Sequence, residues 1–217
     1  MNALDLLDTL ETADLAPDYA HTPIGRGITS PAHTMVEGIK VCIKHERGID
    51  LPAAAALTYA VSIASPGLAI VPATIVRHCF SGHRVSLAVW HDAPMGGRRV
   101  SAARRSDIVG NATLTHLVQA VDTHSENWLL ENGRAVMLDG DRNFRHVSEA
   151  GIFSHAVSEK VIPAYIKAHL VRVIDAESSL RRTASMVEAP DQWVTDVIVR
   201  AMDLLDADRF PHAYSMG

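Results

Sequence analysis

Residues 121–144, VDTHSENWLLENGRAVMLDGDRNF, carry the strongest structural signal in this chain. The centre of the stretch predicts a β-hairpin, because apolar residues at 128–130 and 135–138 flank the dipeptide Asn132-Gly133. Asn-Gly supplies the positive φ angles that a tight turn between two strands requires. A hairpin returns the chain to its starting point, so residues before its first strand lie beside residues after its second strand.

Three oxygen-bearing side chains stand at the open end of this hairpin. Asp122 and Asn127 precede it and Asp139 follows it. Carboxylate and amide oxygens suit Mg²⁺, and a further carboxylate can accept the proton of an attacking hydroxyl group. The spacing therefore predicts a site for phosphoryl transfer, with Asn127 and Asp139 on the metal and Asp122 as the catalytic base. The alternative is an ordinary hairpin whose polar residues are solvated.

The pattern D-x-H-x-x-N-W, from Asp122 to Trp128, resembles the catalytic loop of protein-kinase-like enzymes, in particular the HipA-type and bacterial phosphatidylinositol 3/4-kinase-like families. Aminoglycoside and choline phosphotransferases share D-x-H-x-x-N, but Trp128 favours the first group. The resemblance implies an α+β, two-lobed protein-kinase-like fold, with a small mixed β N-lobe and a helical C-lobe. It also implies that ATP and Mg²⁺ are the cofactors, and that His124 braces the loop.

Residues 38–44 alternate between two faces as a β-strand does, with Val41 and Ile43 on one face and Cys42 and Lys44 on the other. The tetrad VCIK resembles the V-A-I-K strand of kinases, whose lysine reaches the α and β phosphates of ATP. By this resemblance Lys44 contacts phosphate and Cys42 lines the adenine pocket. A solvated lysine at the end of an ordinary strand is the alternative.

Two loops offer further nucleotide contacts. Gly25, Gly27 and Ser30 precede a strand, where glycines let backbone N–H groups approach phosphates, although an ordinary turn has the same composition. Trp90 ends a later strand and is assigned to the nucleotide site. The segment HDAPMGG at 91–97 follows it and, by the resemblance, is the hinge between lobes whose backbone binds adenine.

Residues 53–64, AAAALTYAVSIA, predict a helix at the place where the kinase fold has its αC helix. The sequence departs from the family here, because no Asp or Glu occurs in residues 51–76. The usual ion pair between the strand lysine and a helix carboxylate therefore cannot form. Either Glu46 or Asp50 replaces that carboxylate, or the nucleotide alone positions Lys44. This departure favours a weakened or inactive enzyme.

The remaining elements are expected to frame the site. We expect the N-lobe to span residues 1–91 and the C-lobe residues 92–217. Apolar spacing predicts a short N-terminal helix, strands at 68–78 and 84–90, a helix at 107–121, helical structure at 154–186 and a last helix after Pro190. The predicted core positions of the segment 154–186 are Val157, Val161, Tyr165, Ile166, Leu170, Val173 and Ile174.

Composition narrows the possible partners. A chain of 217 residues with 47% hydrophobic and 21% charged residues has the character of a folded globular protein. The net charge of −5 argues against nucleic acid as a partner, except through the basic cluster Arg98, Arg99, Arg104 and Arg105. Two cysteines without a C-x-x-C motif fit a reducing cytoplasm. Prolines interrupt the uncharged residues 51–76, so a membrane span is not expected.

Other enzyme classes fit less well. Calcineurin-like metallophosphoesterases share D-x-H and G-D elements, but their Asn-His and later His-x-His elements are missing, as are the G-x-S-x-G, H-E-x-x-H and P-loop motifs. The sequence therefore predicts an ATP- and Mg²⁺-dependent phosphotransferase, foremost a HipA-like kinase of protein serine or threonine hydroxyls. A kinase of small molecules such as aminoglycosides or lipid head groups, and a pseudokinase that acts by binding a partner, remain open alternatives.

Overall fold

The structure is a computed structural model that describes residues 3–17, 20–24, 31–46, 51–120, 124, 126–140, 143–144 and 151–212. The positions Gly25, Gly27, Ser30, Asp50 and Asp122 lie outside these residues, and the roles predicted for them stay predictions. Within the described ranges the N-terminal part of the chain is built on a β-sheet and the C-terminal part is mainly helical, which is an α+β architecture.

The sheet of the described residues is antiparallel and has the strand order β1-β2-β3-β5-β4. Its strands are β1 (Thr22–Pro23), β2 (Ala32–Val36), β3 (Ile39–His45), β4 (Thr74–His78) and β5 (Arg84–Val89).

The strand predicted at 68–78 begins later than expected. Ile70 pairs instead with Val136, outside this sheet, and Pro72 has no N–H to donate to a ladder, so the pairing of β4 starts at Thr74.

One face of the sheet is covered by α1 (Ala3–Thr12). Leu10 of this helix is fully buried in a cluster with Val41 and Ile43 of β3 and with side chains of β5. Arg77 of β4 donates hydrogen bonds to the carbonyls of Leu10 (2.9 Å), in the last turn of α1, and of Ala13 (2.5 Å), just after the helix. The predicted docking of an N-terminal helix is thereby confirmed.

The helix α2 (Leu51–Ala64) belongs to a second and larger core. Its four consecutive alanines are strong helix formers, and Pro52 is tolerated in the first turn because its missing N–H has no partner there. Leu57 and Val61 are fully buried together with residues of the C-terminal helices. The helix therefore connects the sheet to the helical part of the molecule.

The C-terminal part combines a hairpin with helices. Its described elements are α3 (Arg105–Leu117), β6 (Trp128–Glu131), β7 (Arg134–Met137), α4 (Ile152–Val157), α5 (Ala164–Asp175), α6 (Glu177–Met186) and α7 (Asp191–Asp206). The hairpin and the final helix after Pro190 are where the sequence predicts them. None of the described helices offers the length of apolar sequence that a membrane crossing demands.

The helical segment predicted at 154–186 is divided into α4, α5 and α6. Pro163 disfavours helical backbone at the residue before it, so α4 and α5 are separate. Two of the predicted core positions are wrong. Val161 lies in the extended segment before Pro163 and is 62% exposed, and Tyr165 in the first turn of α5 is 44% exposed.

Candidate functional site

The turn of the β6–β7 hairpin is fixed to α3. Asn132 and Gly133 have the predicted positive φ angles, 51° and 76°. The buried carboxylate of Asp107 accepts hydrogen bonds from Arg134 Nε (2.7 Å) and from the backbone N–H of Ala135 (3.1 Å). This bond to Asp107 raises the pKa of Arg134. The hairpin is therefore held in a defined orientation from its closed end.

The first strand of the hairpin is fixed to the predicted hinge. Trp128 is fully buried and donates from Nε1 to the carbonyl of Gly97 (3.0 Å), while the N–H of Gly96 donates to the carbonyl of Trp128 (2.8 Å). A Cβ atom at position 96 would overlap the indole ring, so only glycine permits this approach. The tryptophan of the D-x-H-x-x-N-W pattern is thus bonded to both glycines of the predicted hinge.

Asn127 and Asp139 lie next to each other at the open end of the hairpin. The N–H of Leu138 donates to the carbonyl of Asn127 (2.9 Å), and the N–H of Asn127 donates to the carbonyl of His124 (3.1 Å). His124 also accepts a bond at Nδ1 from the backbone N–H of Glu126 (3.1 Å), which agrees with a bracing role. Asp139 has a positive φ of 58°, a conformation that aspartate tolerates better than most residues.

Lys44 of β3 reaches across to this end of the hairpin. Its Nζ forms an ion pair with Oδ1 of Asp139, and the two side chains are 13% and 35% exposed. This contact joins the sheet to the residue that follows β7. Of the residues predicted from sequence, the structure therefore brings together Lys44, Asn127 and Asp139.

Glu46, one of the two predicted substitutes for the αC carboxylate, has another role. Arg84 of β5 forms a two-pronged ion pair with it, through Nη2 to Oε1 (2.9 Å) and Nε to Oε2 (3.3 Å), and these contacts lower the pKa of Glu46. Arg84 also donates to the carbonyl of Val187 (3.1 Å) and to Glu188 (3.1 Å). Glu46 therefore helps to orient Arg84, which joins the sheet to the loop after α6.

Cys42 lies two residues before Lys44 on β3, whereas Trp90 lies opposite Lys40 at the other end of this strand. Cys42 is half-buried and, by strand alternation, shares a face with Lys44. Trp90 follows β5, and its backbone N–H donates to the carbonyl of Lys40 (2.9 Å). The ammonium group of Lys40 lies 4.1 Å from the centre of the Trp90 ring. The indole Nε1 is buried and has no hydrogen-bond partner among the described residues.

Sequence reasoning missed a polar link between α2 and the loop after Asp139. Asn143, 2% exposed, donates from Nδ2 to Oγ1 of Thr58 (2.8 Å), which is fully buried. The same hydroxyl contacts the carbonyls of Ala54 (2.8 Å) and Gly140 (3.4 Å). The sequence offers little signal for this pair, since α2 has several hydroxyl residues and their orientation depends on packing.

The basic cluster lies beside the hinge. Arg98, Arg99, Arg104 and Arg105 are all exposed. Arg99 donates to the carbonyl of Met95 (3.0 Å), which is a local contact of the hinge.

The donor groups at the hairpin end fit a magnesium ion. Among the described residues no group of three or more His, Cys, Asp or Glu side chains is arranged to hold a metal. Mg²⁺ does not require such a group, because it is usually bound by one or two carboxylates together with substrate phosphates and water. The carboxylate of Asp139 already attracts a cation, the Lys44 ammonium, and the backbone carbonyl of Asn127 is bonded to the N–H of Leu138, the residue before Asp139.

The sheet with its covering helix, the helical second part and the hairpin between them define a two-lobed protein-kinase-like α+β fold. Among solved structures the chain is similar to the crystal structure of CtkA, a proinflammatory kinase of Helicobacter pylori. The TM-score is 0.53 at 6% sequence identity, and the match covers 92% of this chain and 94% of that chain. At this identity the likeness shows the fold. No protein-family model and no curated protein sequence matches the chain.

Proposed function

We propose that this protein is an ATP- and Mg²⁺-dependent phosphotransferase, foremost a HipA-like kinase that phosphorylates serine or threonine hydroxyls of proteins. The observation that carries the proposal is the ion pair between Lys44 and Asp139 beside Asn127. It unites a strand lysine and a loop aspartate, the two charges that kinases place on phosphate and on metal. The kinase-like fold supports the same assignment.

In this proposal each residue has one task. Asp139 and Asn127 hold Mg²⁺, which when bound neutralises negative charge on the nucleotide phosphates. Lys44 then leaves Asp139 and takes the phosphates as its partner. Asp122, outside the described residues, orients the acceptor hydroxyl and accepts its proton. The pairing of Lys44 with Asp139 keeps both side chains near their working positions before the nucleotide arrives.

The nucleotide base is proposed to lie between the sheet and the hinge. In this proposal Cys42, on the Lys44 face of the sheet, and Trp90, after β5, contact the base. The loop with Gly25, Gly27 and Ser30 is proposed to contact the phosphates. The proposed lobes meet at residues 91–92, where the chain leaves Trp90 and enters the hinge. This arrangement places the base near the glycines that contact Trp128.

A pseudokinase is the second candidate, and a specific observation favours it. The helix α2 has no carboxylate, and Lys44 is paired with the residue that would otherwise hold metal. A protein of this kind would bind nucleotide without transferring phosphate and would act by occupying a partner. Phosphate transfer therefore separates the two candidates.

The deciding experiment measures nucleotide binding and transfer on the same protein. We expect ATP with Mg²⁺ to raise the melting temperature, and γ-labelled ATP to label the protein itself or protein bands in a lysate. Lys44→Met, which is one atom shorter and removes the charge of the side chain, should lose the labelling. Labelled metabolites without labelled protein would indicate a small-molecule kinase. A melting shift without any labelled product would indicate the pseudokinase.

Nucleotide binding should also protect one of the two thiols. Cys42 is half-buried on the Lys44 face, whereas Cys79 is 6% exposed inside the cluster under α1. We expect Mg²⁺–ATP at ten times its dissociation constant to slow alkylation of Cys42 about tenfold, because the site is then mostly occupied. Mass spectrometry of the two cysteine peptides measures this, and Cys79 is the internal control. Equal alkylation of Cys42 with and without nucleotide would place the base elsewhere.

A further inference from the structure

We propose that Thr58 and Asn143 are positioning residues that hold the metal-binding loop against α2, in place of the missing ion pair between lysine and a helix carboxylate. The loop in question runs from Asp139 to Asn143, of which residues 141 and 142 lie outside the described part of the chain. The inference rests on the proposed function, since it concerns how this loop is presented to Mg²⁺.

The bond between the two side chains has a defined direction. An amide Nδ2 can only donate, so Asn143 is the donor and the Thr58 oxygen is the acceptor at 2.8 Å. The single hydroxyl proton of Thr58 is then directed to a carbonyl, and that of Ala54 is the nearer at 2.8 Å. Both side chains are almost completely buried, so water does not compete with the bond.

The helix also touches the loop backbone beside the metal ligand. A Cβ atom built at Gly140 would lie 3.0–3.1 Å from the side-chain atoms of Thr58. Gly140 directly follows Asp139, whose backbone has the positive φ of 58°. A movement of Thr58 therefore displaces the backbone next to the Asp139 carboxylate, with no flexible side chain between them to absorb it.

The far end of the loop is held separately. The N–H of Phe144 donates to the carbonyl of Val118 at the end of α3 (2.7 Å), and its ring stacks on Trp193 of α7 at 4.9 Å. The near end is held by the bond between Leu138 and Asn127. The Phe144 contacts connect the loop to α3 and α7, and the Leu138 bond connects it to the segment before β6, whereas Thr58 connects it to α2. The position of α2 is thereby linked to the position of Asp139.

The experiment compares Thr58→Val, which keeps the shape of the side chain and removes the acceptor, with Thr58→Ser, which keeps the hydroxyl. Binding of ADP is measured by calorimetry without metal and over a series of Mg²⁺ concentrations. We expect Thr58→Val to raise the half-saturating Mg²⁺ concentration about tenfold, the usual effect of removing a group that orients a metal ligand. Metal-free ADP binding should change less than about twofold, and Thr58→Ser should behave like the wild type.

Asn143→Ala provides a second approach from the other side of the bond. It should shift the Mg²⁺ dependence as Thr58→Val does, and the double variant should show little further change, because both substitutions remove one interaction. If the Mg²⁺ dependence of Thr58→Val is unchanged, even in a protein of lowered stability, the proposal is overturned. The proposed function would then still stand. Loss of the fold in both single variants would have the same two consequences. A wild-type protein without Mg²⁺-dependent ADP binding would overturn the proposed function and this inference with it.

Discussion

Replacing Asp139 with asparagine is expected to remove Mg²⁺-dependent nucleotide binding and to slow phosphoryl transfer by on the order of 10²-fold or more, the loss that follows removal of one preorganised electrostatic group. Asparagine has the size of aspartate and tolerates the same positive φ, so the loop should keep its backbone. What it lacks is the negative charge that pairs with Lys44 and that the metal requires. The effect should therefore appear in metal binding more than in stability.

The measurement is the melting shift caused by ATP at increasing Mg²⁺ concentration, followed by transfer of labelled phosphate. Asp206→Asn makes the same chemical change at an exposed position at the end of α7 and serves as the control. If Asp139→Asn protein responds to Mg²⁺ and ATP as the wild type does, the metal site is not at the open end of the hairpin. The proposed roles of Asn127 and Lys44 would then have no support.

The parts of the site that the sequence predicts are those set by local rules. The turn at Asn132-Gly133 follows from the φ angles that these residues adopt, and the return of the chain follows from the turn. The faces of β3 follow from strand alternation, which places Lys44 opposite the apolar Val41 and Ile43. The family resemblance assigned Lys44 and Asp139 to one nucleotide site, but the ion pair between them was not predicted, because the expected partners of Lys44 were Glu46, Asp50 or the nucleotide.

The parts that the sequence did not predict depend on packing between distant segments. Thr58 is one of several hydroxyl residues in an apolar helix, and nothing near it in sequence indicates that Asn143 is its partner. The pairing of Glu46 with Arg84 was missed for the same reason, because β5, which carries Arg84, becomes the neighbour of β3 only in the folded sheet. The exposure of Val161 is a different case, because its cause is local: helical periodicity was continued across Pro163, although proline disfavours helical backbone at the residue before it.

The folded state should lose stability below neutral pH through His116, and replacing this residue with glutamine should remove that loss. Burial and the nearby charge of Arg200 lower the pKa of His116 to about 4, against a smaller opposite effect of Asp203. Between pH 6.5 and about 4 the unfolded chain therefore binds a proton that the folded chain does not. Stability falls as the pH falls through this window and is fully present above it, and the contribution amounts to at most about 3 kcal/mol.

Urea unfolding of the wild type and of His116→Gln at several pH values from 7 to 4 measures this contribution. The stability of the wild type should fall relative to that of His116→Gln as the pH falls, because only the wild type carries this imidazole. His169, whose pKa burial also lowers, contributes in the same direction in both proteins and cancels in the comparison. His155→Gln removes an exposed imidazole and is the matched control. Parallel curves for wild type and His116→Gln would mean that the contact between α3 and α7 around Arg200 accepts an imidazolium without cost.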